Sequence, residues 1–100
     1  MGFSEIRGGQ EKGSVRKRGW EAITVDILEA SLSPQKKTRI MYKANLNYDR
    51  FNRYFVDFVR KGFIVEADGS DGKPEYKISE RGRIFLAALR KAQDLFEFEE

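Results

Sequence analysis

Between Asn47 and Lys61 the chain reads NYDRFNRYFVDFVRK, and its apolar positions fall at helical spacing. At about 100° per residue, Phe51, Tyr54, Phe55 and Phe58 gather on one side, flanked by Tyr48 and Val59. Arg50, Asn52, Arg53, Asp57 and Arg60 point the other way. Asn47 is suited to cap the start, because its side-chain oxygen can accept from an unpaired amide of the first turn, and Gly62 ends the run. Upstream, Trp20 to Leu32 carries Ile23, Ile27 and Ala30 on one stripe and Val25, Leu28 and Leu32 on another, which predicts a helix central to the core. Ser33-Pro34 breaks it. Pro34 suits the first turn of a further helix, where no amide bond is needed. The spacing then predicts a short helix over Gln35 to Ala44, burying Ile40, Met41 and Ala44 and exposing Lys36, Lys37, Arg39 and Lys43.

Beyond Gly62 the period changes. Phe63 to Ala67 and Glu75 to Ile78 are β-rich, and DGSDGKP lies between them, so they predict a hairpin whose Asp-Gly tip supplies positive φ angles. Ser79 then caps a last helix from about Glu80 to Phe96, with Glu80 at its positive end. Phe85, Leu89, Ala92 and Phe96 follow one another at intervals of four, three and four, a seam of a and d positions. The order is helix, helix, helix, hairpin, helix. That is a winged helix-turn-helix of the α+β class, mainly α, with a C-terminal helix. The expected division is a tail over 1–15, disordered or expression-derived, a winged helix-turn-helix domain over 16–79, and a C-terminal dimerisation helix with an acidic tail over 80–100.

Composition narrows the chemistry. The 100 residues suit one domain, and eight Phe argue for a real core. Without Cys or His there is no disulfide framework, no thiolate nucleophile, no imidazole base and no ordinary zinc site, so neither an enzyme nor a metal or other cofactor is expected. The two carboxylates of the hairpin tip lack the spacing of a calcium loop. No run approaches the ~18 apolar residues of a membrane span, and the N-terminus lacks the apolar stretch of a signal peptide, so no membrane role and a cytoplasmic location, at the nucleoid, are expected. Net charge is +3, yet from Arg16 to Lys61 eleven basic residues stand against five acidic ones. A basic half beside an acidic remainder points to a phosphate backbone as partner.

The runs KKTRIMYKANLNYDRFNRYFVDFVRKGFI and YKISERGRIFL resemble the archaeal winged-helix DNA-binding family of the small chromatin-associated "10a" proteins of Sulfolobus and related ArnR-like regulators. The similarity spans roughly residues 18 to 96, and it implies that the helix after NLNY is the recognition helix. It also implies dimerisation through the C-terminal helix. Carried over by position, Lys37, Thr38, Arg39, Asn47, Tyr48, Arg50 and Arg53 fall in the DNA-facing region. This sequence departs from the family in its net acidic hairpin tip, its short last helix and its N-terminal extension.

The expectation is therefore a dimeric protein that binds double-stranded DNA, as a transcriptional regulator or a nucleoid-associated protein. Arg50, Asn52 and Arg53 would face base edges. Lys36, Lys37, Arg39, Lys43, Arg60 and an arm of Arg16, Lys17 and Arg18 would face phosphates. Phe85, Leu89, Ala92 and Phe96 would form the dimer interface. A winged-helix module that docks proteins without binding DNA is the alternative, since a fold does not fix a function. The polar side of the third helix leaves both open: Asp49 with Arg53, Arg53 with Asp57, and Asp57 with Lys61 are i,i+4 pairs that a merely solvated helix would also show.

Overall fold

The computed structural model describes residues 18–98. Helix α1 (Trp20–Ala30) is followed by α2 (Lys37–Ala44) and α3 (Tyr48–Arg60), then by strands β1 (Ile64–Asp68) and β2 (Pro74–Ile78), then by α4 (Glu80–Phe98). Ile23, Ile27 and Leu28 of α1, Ile40 of α2 and Phe51 of α3 are completely buried, and Phe55, Phe58, Ile64, Ile78 and Leu86 close the core around them. The apolar stripe of α3 is thus the inner wall of the domain. Phe51 and Phe55 stack and Phe55 meets Tyr76 of the hairpin edge-on, while Phe58 reaches Phe63 just before β1, so two sets of aromatic contacts tie α3 to the wing and its base.

Local chemistry explains where the elements stop. The Asn47 side chain accepts the Arg50 amide at 2.9 Å and starts α3. At its other end Gly62 takes φ +79, the Gly62 amide donates to the Val59 carbonyl, and the Phe63 amide donates to the Phe58 carbonyl, a Schellman closure that a side chain at residue 62 would strain. Asn45 does the same for α2 with φ 58, its amide donating to Tyr42 and that of Leu46 to Met41. Asparagine tolerates this left-handed geometry better than other residues bearing a side chain. Ser79 caps α4, accepting the Gly82 amide at 3.0 Å while donating to the Gly62 carbonyl. Gly82 is required here, because a Cβ would sit 2.3 Å from the Phe63 carbonyl oxygen.

The hairpin pairs in antiparallel register, Ile64 with Ile78 through Asp68 with Pro74. Its free edge is not empty. Gln35 exchanges both backbone hydrogen bonds with Tyr76, and the Ser31 carbonyl accepts the Ile78 amide at 2.7 Å, so the link from α1 to α2 runs as a vestigial third strand. This corrects two expectations. Helix α1 ends at Ala30 rather than Leu32, with the Ser31 hydroxyl donating back to the Ile27 and Leu28 carbonyls. Helix α2 begins at Lys37, and Pro34 does not open it, because the backbone of Gln35 is committed to the wing.

Helix α4 lies against α1, joined by Leu86, Leu89 and an Arg90–Glu29 ion pair. Phe85 stacks on Phe63 with ring centroids 4.7 Å apart. Of the seam expected to face a partner, Phe85 and Leu89 are therefore packed into their own domain, whereas Ala92 is exposed and Phe96 is 81% exposed. The first half of the seam serves the fold, Phe85 against Phe63 and Leu89 buried beside Leu86. No helix among the described residues is long and apolar enough to cross a membrane.

Candidate nucleic-acid interface

The outer side of α3 is a basic surface held in place from below. With Phe51, Phe55 and Phe58 fixed in the core, the helix cannot rotate, so Arg50, Arg53 and Arg60 stand in solvent with Asn52 half-buried at one margin. Of the three helical pairs the spacing allowed, only Asp57–Lys61 forms, at 2.6 Å, joined by a looser Arg60–Asp57 contact at 3.8 Å. Arg53 makes no ion pair among the described residues, so its guanidinium fork stays open for an acceptor outside the protein.

Two of the expected phosphate-facing lysines have protein partners. Lys37 Nζ donates to Asn52 Oδ1 at 2.8 Å and lies 5.1 Å from the Phe55 ring and 5.6 Å from that of Tyr48. It joins α2 to α3 while its charge still sits at the margin of the basic face. Lys36 reaches across to the wing tip, 3.0 Å from Asp71 Oδ1 and 3.6 Å from Glu75. The hydrogen bond to Asp71 raises the Lys36 ammonium above its ordinary pKa, and the Asp71 carboxyl is lowered, first by the Lys73 amide it accepts and then by Lys36. Thr38, Arg39 and Lys43 line the exposed side of α2, and Tyr48 stands half out at the start of α3. The Asn47 oxygen is already taken by the Arg50 amide.

Arg18 departs most from expectation. Instead of belonging to a free arm, it pairs with Asp26 at 2.6 Å and donates to the Ala44 and Asn45 carbonyls at 2.8 Å each, bracing the end of α2 where the helix-turn-helix bends. It satisfies two of the carbonyls that the end of α2 leaves unpaired. Arg16 and Lys17 lie outside the described residues. One residue the sequence pattern did not single out is Val56, which is 42% exposed and shares a shallow depression with Asn52, Arg53 and Arg60. Its spacing one turn beyond Asn52 was the available signal.

A capped recognition-type helix behind a short turn, a two-stranded wing braced by a backbone bridge, and a helix packed across the first define a winged helix-turn-helix. The chain belongs to the winged helix-turn-helix family, whose model matches residues 17–97. Among solved structures, that of Sso10a-2, a DNA-binding protein from Sulfolobus solfataricus, is similar with a TM-score of 0.71 and 26% sequence identity, covering 80% of this chain and 83% of that one. SSV1 F-93 shares the fold, with a TM-score of 0.61 at 15% identity over 85% of this chain and 98% of its own. An uncharacterized protein of Methanocaldococcus jannaschii, MJ0287, is 35% identical over 63 residues, which make up 63% of this chain. The matched stretch spans 57% of that relative's length.

Proposed function

We propose that this protein binds double-stranded DNA by laying the outer face of α3 in the major groove, and that it works as a dimeric transcriptional regulator or nucleoid-associated protein. The observation that carries the reading is the state of the arginines on α3: Arg50 and Arg53 are exposed and without an ion pair among the described residues, on a helix whose orientation the aromatic core fixes. Guanidinium forks so presented match the acceptors of guanine and of phosphate. Arg39 and Lys43 on α2, together with Lys37, extend the positive surface toward the flanking backbone. The likeness to Sso10a-2, a DNA-binding protein, supports the same reading.

The test is a salt titration of binding to mixed-sequence duplexes, parent beside Arg53→Ala. Loss of a base-reading fork should cost about 1 to 3 kcal/mol of affinity. Folding should change by no more than a few tenths of a kcal/mol, as for any exposed helical residue without a partner. An Arg53→Ala protein that folds and binds as the parent does would remove the recognition-helix assignment. A parent with no salt-sensitive affinity for any duplex would favour the protein-docking module instead.

A further inference from the structure

The face of α3 has a definite hydrogen-bonding polarity. An ammonium can only donate, so the atom of Asn52 that meets Lys37 Nζ at 2.8 Å must be the amide oxygen, and the two protons of Nδ2 are left for another acceptor. Asparagine reading adenine uses oxygen and nitrogen together. With its oxygen held by Lys37, Asn52 works as a donor. Neither carboxylate of α3 takes those protons among the described residues: Asp57 is engaged by Lys61 and Arg60, and no hydrogen bond joins Asn52 to Asp49. One turn further along, Val56 exposes its methyl groups beside Arg53 and Arg60.

A donor next to an apolar group has one natural counterpart in the major groove: thymine alone of the four bases sets an acceptor, O4, beside a methyl group. Building on the DNA-binding reading above, we infer that Asn52 and Val56 form a thymine-reading pair, Nδ2 donating to O4 and Val56 packing on the C5 methyl, with Lys37 as the positioning residue that fixes the amide. Guanine would satisfy Asn52 but offers Val56 nothing.

Two otherwise identical duplexes, one of alternating dA and dT and one of alternating dA and dU, differ only in that methyl group. The parent should bind the dT duplex about fourfold more tightly for each methyl it covers, the worth of one buried methyl group. Val56→Ala should bring the ratio close to one, and Val56→Thr, which keeps one methyl, should retain part of it. Asn52→Ala should weaken both duplexes alike, because O4 is present in each. Comparing ratios between variants cancels any effect of the methyl on the shape of the DNA. Equal binding of the two duplexes by the parent, or a ratio untouched by Val56→Ala, overturns the pair while leaving DNA binding intact. Absence of binding to either duplex at low salt overturns the DNA-binding reading itself, and the pair with it.

Discussion

Arginines of this chain do opposite work depending on what the fold sets around them. Arg53, on the outer side of a helix whose inner side is fully packed, has nothing to bind within the described protein, whereas Arg18 finds Asp26 and two backbone carbonyls within 2.8 Å. A planar fork can hold all three acceptors at once, because one nitrogen meets Asp26 and the Ala44 carbonyl while the other meets Asn45. Removing it leaves the Ala44 and Asn45 carbonyls without a side-chain donor, and Asp26 without a cation, among the described residues. Because both side chains keep part of their surface in water, the cost of Arg18→Ala is about 1 to 2 kcal/mol, below the full value of charge-assisted bonds in a dry interior. Urea denaturation at neutral pH measures it. Arg18→Lys should recover little, since a single ammonium cannot reach both carbonyls and the carboxylate. A stability loss within error for Arg18→Ala would mean that the bend between α2 and α3 holds by the Asn45 geometry alone.

At the scale of elements, the wing is fastened to the start of α2 by Lys36, Asp71 and Glu75. In this position Asp71 competes with a phosphate for the same ammonium. Asp71→Asn should therefore remove the closer of the two carboxylates on Lys36, leaving Glu75 at 3.6 Å, and raise duplex affinity, steepening the log-log salt slope by about 0.9 if one more phosphate is contacted. Asp68→Asn, at a residue without an ion pair among the described residues, should change nothing. A clear loss of binding in Asp71→Asn would show that the wing must stay fastened for DNA to bind. The pair also has a defined pH window. The lowered Asp71 carboxyl favours folding above its unfolded pKa, and this is lost as pH falls through the folded value; the raised Lys36 ammonium favours folding below its unfolded pKa, and this is lost as pH rises through the folded value. The fastening thus holds across the neutral range. Carbon-detected NMR should place the Asp71 midpoint below that of an ordinary aspartate, and Lys36→Met should restore only part of the difference, because the Lys73 amide is the larger cause. This link was not legible in the sequence, since residues 36 and 71 meet only once the hairpin folds back. The helices and the hairpin were legible, because period and caps are local: Asn47, Gly62 and Ser79 each act within a few residues. The strand-like bridge at Gln35 and the clamp of Arg18 on residues 44 and 45 depend on distant backbone; the first displaced the expected helix ends and the second drew Arg18 out of the expected arm. Within the candidate interface, the exposure of Arg50 and Arg53 followed from periodicity, while the commitment of Lys36 and Lys37 did not.

For the whole molecule, the most exposed large apolar side chain among the described residues, Phe96, lies near the end of α4. The helix runs 19 residues, but its own domain covers it only as far as Leu89 and Gln93, leaving Leu95 62% and Phe96 81% exposed beside Ala92. Large apolar side chains clustered at a helix end are costly in water and mark a contact surface. A second copy is the occupant we propose, with Ala92, Leu95 and Phe96 carrying the interface, and Phe85 and Leu89 supporting it from inside each domain. A two-fold arrangement would present two α3 faces to half-sites about one DNA turn, ~34 Å, apart. Assembly and DNA binding are then coupled in a measurable way. The basic face of one protomer can neutralise only the phosphates within its reach, so a dimer should show roughly twice the salt slope of a monomer, at about 0.9 per phosphate contacted. Phe96→Asp together with Leu95→Asp should give a folded monomer by sedimentation, with the thermal melt little changed because both positions are exposed. On a long duplex its log-log salt slope should fall to about half that of the parent, and its affinity should drop steeply at moderate salt. A parent that sediments as a monomer at tens of micromolar, or a double variant that still sediments as a dimer, would detach α4 from assembly. A monomeric variant that kept the full salt slope would show that one copy makes every phosphate contact alone.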